Sequence, residues 1–301
     1  MQARVEAAGL GDIARKLDAD VRLTSEDGVR LFACPDTLAL GWLANREREK
    51  RHGSRTYYNF NIRLEATNVC VASCLFCSFA RLRPGDPGSY TMSLEQTWDK
   101  LRQRAGQPLT EIHVVNGLHP DLPFEYYTEM LRGFKRIRPE IHLKCFTAVE
   151  IAFFADLYGR TDEQVLRELQ DDTGGLQAFI PLAFHPDNNQ MRKLPAPSAV
   201  ETLRVHAVAR LMLDNVPHIK AFWIATGVET AQLALWFGAD DLDGTVQEER
   251  IYHMAGSKTP EAMSTKAIRR LIRAAGRQPY ERDTLYNVIT GPEADLQSLT
   301  A

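Results

Sequence analysis

The sequence predicts an α/β fold built on a parallel sheet, with its chemistry at the carboxyl ends of the strands. Three observations carry this expectation. Short runs of strand character alternate with stretches of helical spacing along the chain. The strands read as apolar on both faces, as they do when helices cover a sheet. The turn-rich and cysteine-rich segments fall directly after strands, which suits the C-terminal face of a barrel. The count is six strands, whereas a closed βα barrel has eight.

The elements follow in order. Residues 1–56 read as helices: Ala3–Ala19 has apolar residues at helical spacing, Thr24-Ser25 starts a second helix, and Cys34–Lys50 is amphipathic with a charged, solvated end. Tyr57–Thr67 alternates as a strand. A cysteine-bearing loop follows, then a Pro- and Gly-rich loop at Pro84–Gly88. Ser93 with Gln96 forms a capping box for the helix Leu94–Ala105. Glu111–Asn116 is a second strand, Phe124–Ile137 a helix ended by Pro139, and Ile141–Thr147 a third strand. Ala148–Tyr158 and Asp162–Leu169 read as helical. Leu176–Phe184 and His218–Thr226 are strands, with the helix Ser198–Asp214 between them. Glu229–Phe237 is helical, Ala239–Gly244 is a short last strand, and Ser264–Ala275 is a helix before a tail. The chain thus divides into an N-terminal helical segment (1–56), a partial TIM-type barrel (57–257) and a C-terminal helix and tail (258–301).

Composition limits the function classes. The chain has 301 residues, 44% hydrophobic and 25% charged, with a formal net charge of -3. That balance gives no electrostatic argument for nucleic acid or an anionic membrane. No apolar run reaches the length of a transmembrane helix, and the N-terminus has no signal-peptide pattern. Five cysteines, three of them clustered, do not read as a disulfide framework.

The cluster is the sharpest feature. In Asn68-Val-Cys70-Val-Ala-Ser-Cys74-Leu-Phe-Cys77-Ser-Phe79-Ala-Arg81, three cysteines are spaced Cys-x3-Cys-x2-Cys. Clustered thiolates select zinc or iron–sulfur clusters. A structural zinc site wants four ligands, usually in two pairs, and Cys34 and Cys145 stand alone. Three cysteines on a [4Fe-4S] cluster leave one iron open for a cofactor or substrate. Such a site would be oxidised outside a reducing compartment, so the cytoplasm is expected. Buried thiols or a partial zinc site are the plain alternatives.

This stretch resembles the signature of the radical S-adenosylmethionine (SAM) enzymes. The resemblance is closer still to the aminofutalosine synthase family of menaquinone biosynthesis. It extends through Asn116-Gly-Leu-His-Pro-Asp-Leu-Pro-Phe-Glu-Tyr-Tyr127, Phe146-Thr-Ala-Val-Glu150, the run from Gln170 to Pro186, Arg210–Trp223, Phe237–Val246 and Ile251–Pro260. Wider kin, dehypoxanthine futalosine cyclase and the tyrosine-using radical enzymes, share the cysteine loop. The chain departs from the family at Leu169-Gln170, where two βα units, about 60 residues or more, are absent. The resemblance therefore implies an incomplete radical SAM (β/α) barrel of about six units.

The resemblance also implies the site. Cys70, Cys74 and Cys77 would hold the [4Fe-4S] cluster, with SAM on the open iron. Asn116-Gly117 falls where the superfamily has a Gly-rich turn beside the SAM amino group; an ordinary strand-to-helix turn reads the same way. Phe79 fits either an adenine contact or core packing. Arg81 and His119 are candidates for a carboxylate of SAM or substrate, as is His185; each also fits a structural role. Asp240, Asp241 and Asp243 at the last strand could hold ribose hydroxyls or cap a helix. Arg210 and Lys220 read as long stems on apolar surface, and Cys145 as a small buried hydrophobe. The implied substrate is 3-[(1-carboxyvinyl)oxy]benzoate, the implied product 6-amino-6-deoxyfutalosine, and the implied partner an electron donor such as flavodoxin or ferredoxin. Hydrogen abstraction of the cyclase type, or an inactive cluster-binding remnant, is the competing expectation.

Overall fold

The structure, a computed structural model, describes residues 1–157, 177–214 and 216–295. The expected helix Asp162–Leu169 and the Leu169-Gln170 junction lie outside the described residues.

Four helices open the chain: α1 (Gln2–Ala7), α2 (Gly11–Asp18), α3 (Ser25–Ala33) and α4 (Thr37–His52). The single helix expected over Ala3–Ala19 is split at Gly9, which has φ +71°. Thr24 caps α3 in a box with Asp27, and the Asp36 carboxylate accepts from Ala39 N to start α4.

The first barrel strand is recorded in two pieces, β1 (Arg55–Asn59) and β2 (Asn61–Leu64). It is followed by β3 (Glu111–Val114), β4 (His142–Lys144), β5 (Ala178–Phe179), β6 (His218–Ile219) and β7 (Asp241–Gly244). All pair in parallel: β2 with β3, β3 with β4, β5 with β6, and β1 with β7. Lys220 bridges to Asp241, which ties β6 to β7. The strands therefore run β4-β3-β2/β1-β7-β6-β5 around the sheet, the six expected from the sequence. Among the described residues no ladder joins β4 to β5.

Between the strands lie α5 (Leu94–Arg102), α6 (Phe124–Ile137), α7 (Ala148–Leu157), α8 (Ala199–Met212), α9 (Trp223–Thr226), α10 (Val228–Ala234) and α11 (Ile251–Met254). The Ser93–Gln96 capping box of α5 is present with both bonds, 2.8 and 3.2 Å. After α12 (Thr265–Ala274), the expected tail adds β8 (Gln278–Arg282), parallel to β1, and an antiparallel β9 (Val288–Thr290).

The strands correct one expectation. They are not apolar on both faces. Ile62, Leu64, Ile112 and Val114 point outward and pack with Leu101, Met130 and Phe134 of the helices. The alternate residues point inward and are polar, with Asn61, Arg63, Glu65 and Glu111 all buried. A second apolar core joins α1–α4 to α8 through Leu10, Leu40, Leu43 and Leu211, and reaches Trp223 and Leu242.

Candidate active site

The cysteine loop leaves the carboxyl end of β2 and is tied at its base. Cys70 N donates to Arg81 O and Arg81 N to Asn68 O, both at 2.8 Å. The Asn68 side chain accepts from Tyr90 N (2.8 Å) and donates to Gly88 O (2.9 Å). The Arg81 guanidinium is spent on the loop itself, donating to the carbonyls of Ser78, Phe79, Ala80 and Pro87 at 2.9–3.2 Å. Phe79 is buried edge-on to Tyr90 at 6.3 Å. The aromatic that the loop turns to the neighbouring cavity is Phe76.

Cys70 is buried, Cys77 half-buried and Cys74 exposed. The Ala80 amide donates to Cys77 Sγ at 3.4 Å, the kind of bond that tunes cluster thiolates. The three thiols do not gather within the 4.8 Å that marks ligands of a single ion among the described residues. Spread thiols on one loop suit a multi-iron cluster, so the donor set fits the [4Fe-4S] group.

Asn116 and Gly117 follow β3 and lock onto this loop. Asn116 Oδ1 accepts from Ala66 N at 2.7 Å, and Gly117 N donates to Thr67 O at 2.8 Å. A Cβ on Gly117 would lie 2.3 Å from Val69 O, so only glycine permits this approach. Asn116 Nδ2 is buried, and the Glu150 carboxylate, which accepts from Asn116 N at 2.8 Å, lies beside it. The close backbone approach that Gly117 permits beside the cysteine loop suits a ligand seated against the main chain there, as SAM would be.

Below the loop opens a cavity of about 1080 Å³. Cys77 and Ser78 line it at the loop; Arg63, His113 and Lys144 line it within the barrel. Those three are register partners across β2, β3 and β4, so they form one row on the inner face. Two residues further on, Glu65, Val115 and Phe146 line the cavity nearer the loop. Burial, reinforced by the Glu249 carboxylate, pushes the Glu65 carboxyl up to about 8. Burial and the neighbouring Lys220 ammonium bring Lys144 down to about 8. None of Arg63, Glu65, His113 or Lys144 stands out from sequence spacing. Their signal is the period of two in Asn61-Ile62-Arg63-Leu64-Glu65, readable only once the inner face is known.

The other sequence candidates have different surroundings. His185 lines the cavity, with Nε2 on Ala225 O at 2.8 Å and its ring edge-on to Tyr252. Buried His119 accepts from Asp121 N through Nδ1 at 3.1 Å, and burial lowers its pKa. Cys145 has its thiol pushed up by burial. Asp240 and Asp241 stand at the amino end of β7, and both carboxylates are taken up by protein partners. Asp240 accepts from Arg210, from Ile219 N (2.9 Å) and pairs with His218 Nδ1 (2.6 Å). Asp241 accepts from Arg282 Nε and Nη2 at 3.0 and 2.8 Å. Asp243 is shared by Arg63 and Lys220, each at 3.1 Å. Arg210 and Lys220 are thus buried ion-pair partners, not stems on apolar surface.

A parallel βα sheet, a three-cysteine loop after its first strand and a large cavity under that loop define a radical SAM enzyme. Methylornithine synthase (PylB) shares the fold: its crystal structure superposes with TM-score 0.65 over 95% of this chain and 99% of that one, at 13% identity. The family model for the CofH/MqnC C-terminal region matches residues 173–295. Aminodeoxyfutalosine synthase of Streptomyces coelicolor is 35% identical, with 92% of this chain and 93% of that protein covered. The Thermus thermophilus aminodeoxyfutalosine synthase is also 35% identical, over 92% and 95%. The chain belongs to the aminodeoxyfutalosine synthase family. The Streptomyces alignment runs over 362 positions against a chain of 301, so at least 61 positions of that relative face no residue here. No helix among the described residues is long and apolar enough to cross a membrane.

Proposed function

We propose that the protein catalyses the aminodeoxyfutalosine synthase reaction. In it, the C–S bond of SAM breaks to release methionine, the 5′-deoxyadenosyl carbon is joined to the enolpyruvyl methylene carbon of 3-[(1-carboxyvinyl)oxy]benzoate, and one water carries a carboxylate away as bicarbonate, giving 6-amino-6-deoxyfutalosine. The observation that carries this reading is the cavity itself, which runs from Cys77 to a row of bases and is walled by Phe146, Ile180 and Phe222. That shape and polarity suit a long aryl dicarboxylate.

Cys70, Cys74 and Cys77 are the residues that would hold the cluster. When bound, the cluster and SAM supply one electron and the adenosyl radical, drawing on a donor such as flavodoxin or ferredoxin. The chain's own residues bind, orient and keep water out. Asn116 and Gly117 fix the loop against β3 through Ala66 N and Thr67 O. Phe76 covers the cavity beside Cys77. Arg81 and Phe79 serve the site by holding the loop's shape. Glu65 keeps its proton at neutral pH and so presents a neutral carboxyl to an anionic substrate. The chemistry needs a reducing compartment, which supports a cytoplasmic location.

The test is anaerobic reconstitution with iron and sulfide. The reduced cluster's electron paramagnetic resonance spectrum should change on adding SAM. Mass spectrometry should then detect 6-amino-6-deoxyfutalosine above a Cys77→Ala control. A cyclised dehypoxanthine futalosine product in its place would overturn the assignment.

A further inference from the structure

The inner row Arg63–His113–Lys144 is unusual for the interior of a sheet. It carries two cations and a histidine on three neighbouring strands, all facing the cavity. Lys220 adds another cation at the edge of this layer. The opposing acid of the layer is Asp243, which Arg63 and Lys220 share at 3.1 Å each. The Arg63 guanidinium also donates to His113 Nδ1 and lies 4.7 Å over the Phe222 ring.

Lys144 is left over. Its ammonium is out of solvent and has no hydrogen-bond partner. Below it, the Glu111 carboxylate attracts it from beyond hydrogen-bond distance: Oε2 is engaged by Thr284 (2.7 Å) and Arg282 (3.8 Å), Oε1 has no hydrogen-bond partner, and Asp243 adds a weaker attraction. A buried cation without an acceptor is costly. The flexible lysine stem lets the ammonium turn into the cavity and meet an anion there.

We propose that the Arg63–His113–Lys144 row seats the ring carboxylate of the substrate, with Lys144 as its counter-charge. This rests on the reaction proposed above. Orientation follows from where the row lies. The enolpyruvyl carbon has to reach the group bound at the cysteine loop, so the benzoate end points the other way, into the barrel. The ring then lies among Phe146, Ile180 and Phe222, and its carboxylate arrives at the base row. Lys144 is a substrate-binding residue, and Arg63 and His113 position it and the carboxylate.

Calorimetry on the anaerobically reconstituted protein tests this without turnover. The probes are 3-[(1-carboxyvinyl)oxy]benzoate, its ring carboxamide and its enolpyruvyl carboxamide. The native protein should bind the ring carboxamide about tenfold or more weakly than the dicarboxylate, as expected for a lost charge-assisted bond. Lys144→Met should weaken dicarboxylate binding to the same degree, and Lys144→Arg should restore it to within about threefold. Lys144→Met should bind the ring carboxamide no worse than the native protein does. Equal binding of the ring carboxamide and dicarboxylate by the native protein overturns the proposal, and needs no variant to fold. So does a loss confined to the enolpyruvyl carboxamide, which would reverse the orientation. Product formation that persists alongside either result would leave the assigned reaction standing while this seat falls. If the native protein binds no dicarboxylate and forms no product, both fall.

Discussion

The two ends of the barrel treat buried charge in opposite ways. At the amino end of β7 each acid meets bases: Asp240 has Arg210 and His218, and Asp241 has two bonds from Arg282. Four of these side chains, Asp240, Asp241, Arg210 and Arg282, are 0–1% exposed. His52, His218 and Asp240 gather closely enough to hold an ion, but His52 Nε2 already faces Pro217 O at 3.0 Å and His218 Nδ1 faces Asp240. At the cavity end, partners are missing. The Lys144 ammonium has no hydrogen-bond partner, and burial beside the Glu249 carboxylate keeps Glu65 protonated. The same strands supply both ends. Close ion pairs fix the fold at one end, and a cation without a close acceptor faces the cavity at the other.

The sharpest way to break this comparison is to empty the cavity end and see whether the fold notices. Cys70→Ala, Cys74→Ala and Cys77→Ala should each take the protein from about four irons per chain to none. Cys34→Ala and Cys145→Ala should leave iron content and cluster absorbance unchanged. For exposed Cys74, unfolding of the cluster-free protein should move by less than about 0.5 kcal/mol. Zinc bound in place of iron after anaerobic reconstitution would refute the cluster assignment.

A second test completes the cavity wall. Barrel closure requires strand number, tilt and stagger to agree. Here the ladder is open between β4 and β5 among the described residues, and the Streptomyces relative carries at least 61 positions that this chain lacks. A gap in the wall admits water and loosens the substrate. The native chain should therefore cleave SAM with little coupling. Inserting the two βα units at Leu169-Gln170 should raise 6-amino-6-deoxyfutalosine per SAM cleaved by about tenfold or more. Equal yields from both chains would mean that the junction does not breach the site.

At the amino end the expected loss is in stability. Asp241→Asn leaves buried Arg282 with only the more distant Glu111 carboxylate at 3.8 Å and should cost about 3 kcal/mol, read from the denaturant midpoint. The double variant Asp241→Asn, Arg282→Met should recover part of that. A single-variant loss below about 1 kcal/mol would show that this network is not what secures β7 to β8.

What the sequence revealed follows from how local each signal is. The Ser93–Gln96 box, the order of the six barrel strands and the cysteine loop are each encoded within a few residues and are legible, whereas Trp223–Thr226, read as part of a strand, is helical. The inner polar layer is not. Arg63, His113 and Lys144 are 50 and 31 positions apart in the chain, and only parallel register brings them together. Asp240 and Asp241 look like strand-end site residues because their partners Arg210 and Arg282 lie 30 and 41 positions away. The β8–β9 hairpin has no clean alternation, since Pro279 interrupts a five-residue strand.

The smallest effect is on pH dependence, and it separates the two ends by sign. At the amino end, burial holds His52 down to about 4 against an ordinary 6.5. Between those values the unfolded chain binds the extra proton, so stability rises with pH. At the cavity end, Glu65 is held up at about 8 against an ordinary 4.5. There the folded chain keeps a proton that the unfolded chain has lost, so stability falls as pH climbs from 4.5 to 8. Buried Glu150 is also raised and adds to that fall. Lys144, held down at about 8 against 10.5, reverses the trend above pH 8, because the unfolded lysine then binds the extra proton. The summed contribution of Glu65 and Lys144 should therefore pass through a minimum near pH 8, each group contributing a slope of at most about 1.4 kcal/mol per pH unit, while the raised Cys145 thiol pulls total stability down above pH 9. Anaerobic urea melts from pH 5 to 10 measure it, and difference curves against the native protein assign it. Glu65→Gln should remove part of the fall between pH 6.5 and 8, and Lys144→Met should remove the rise above it. Difference curves flat over both windows would mean that neither group is held away from its ordinary protonation, and the contrast between the two ends would then rest on geometry alone.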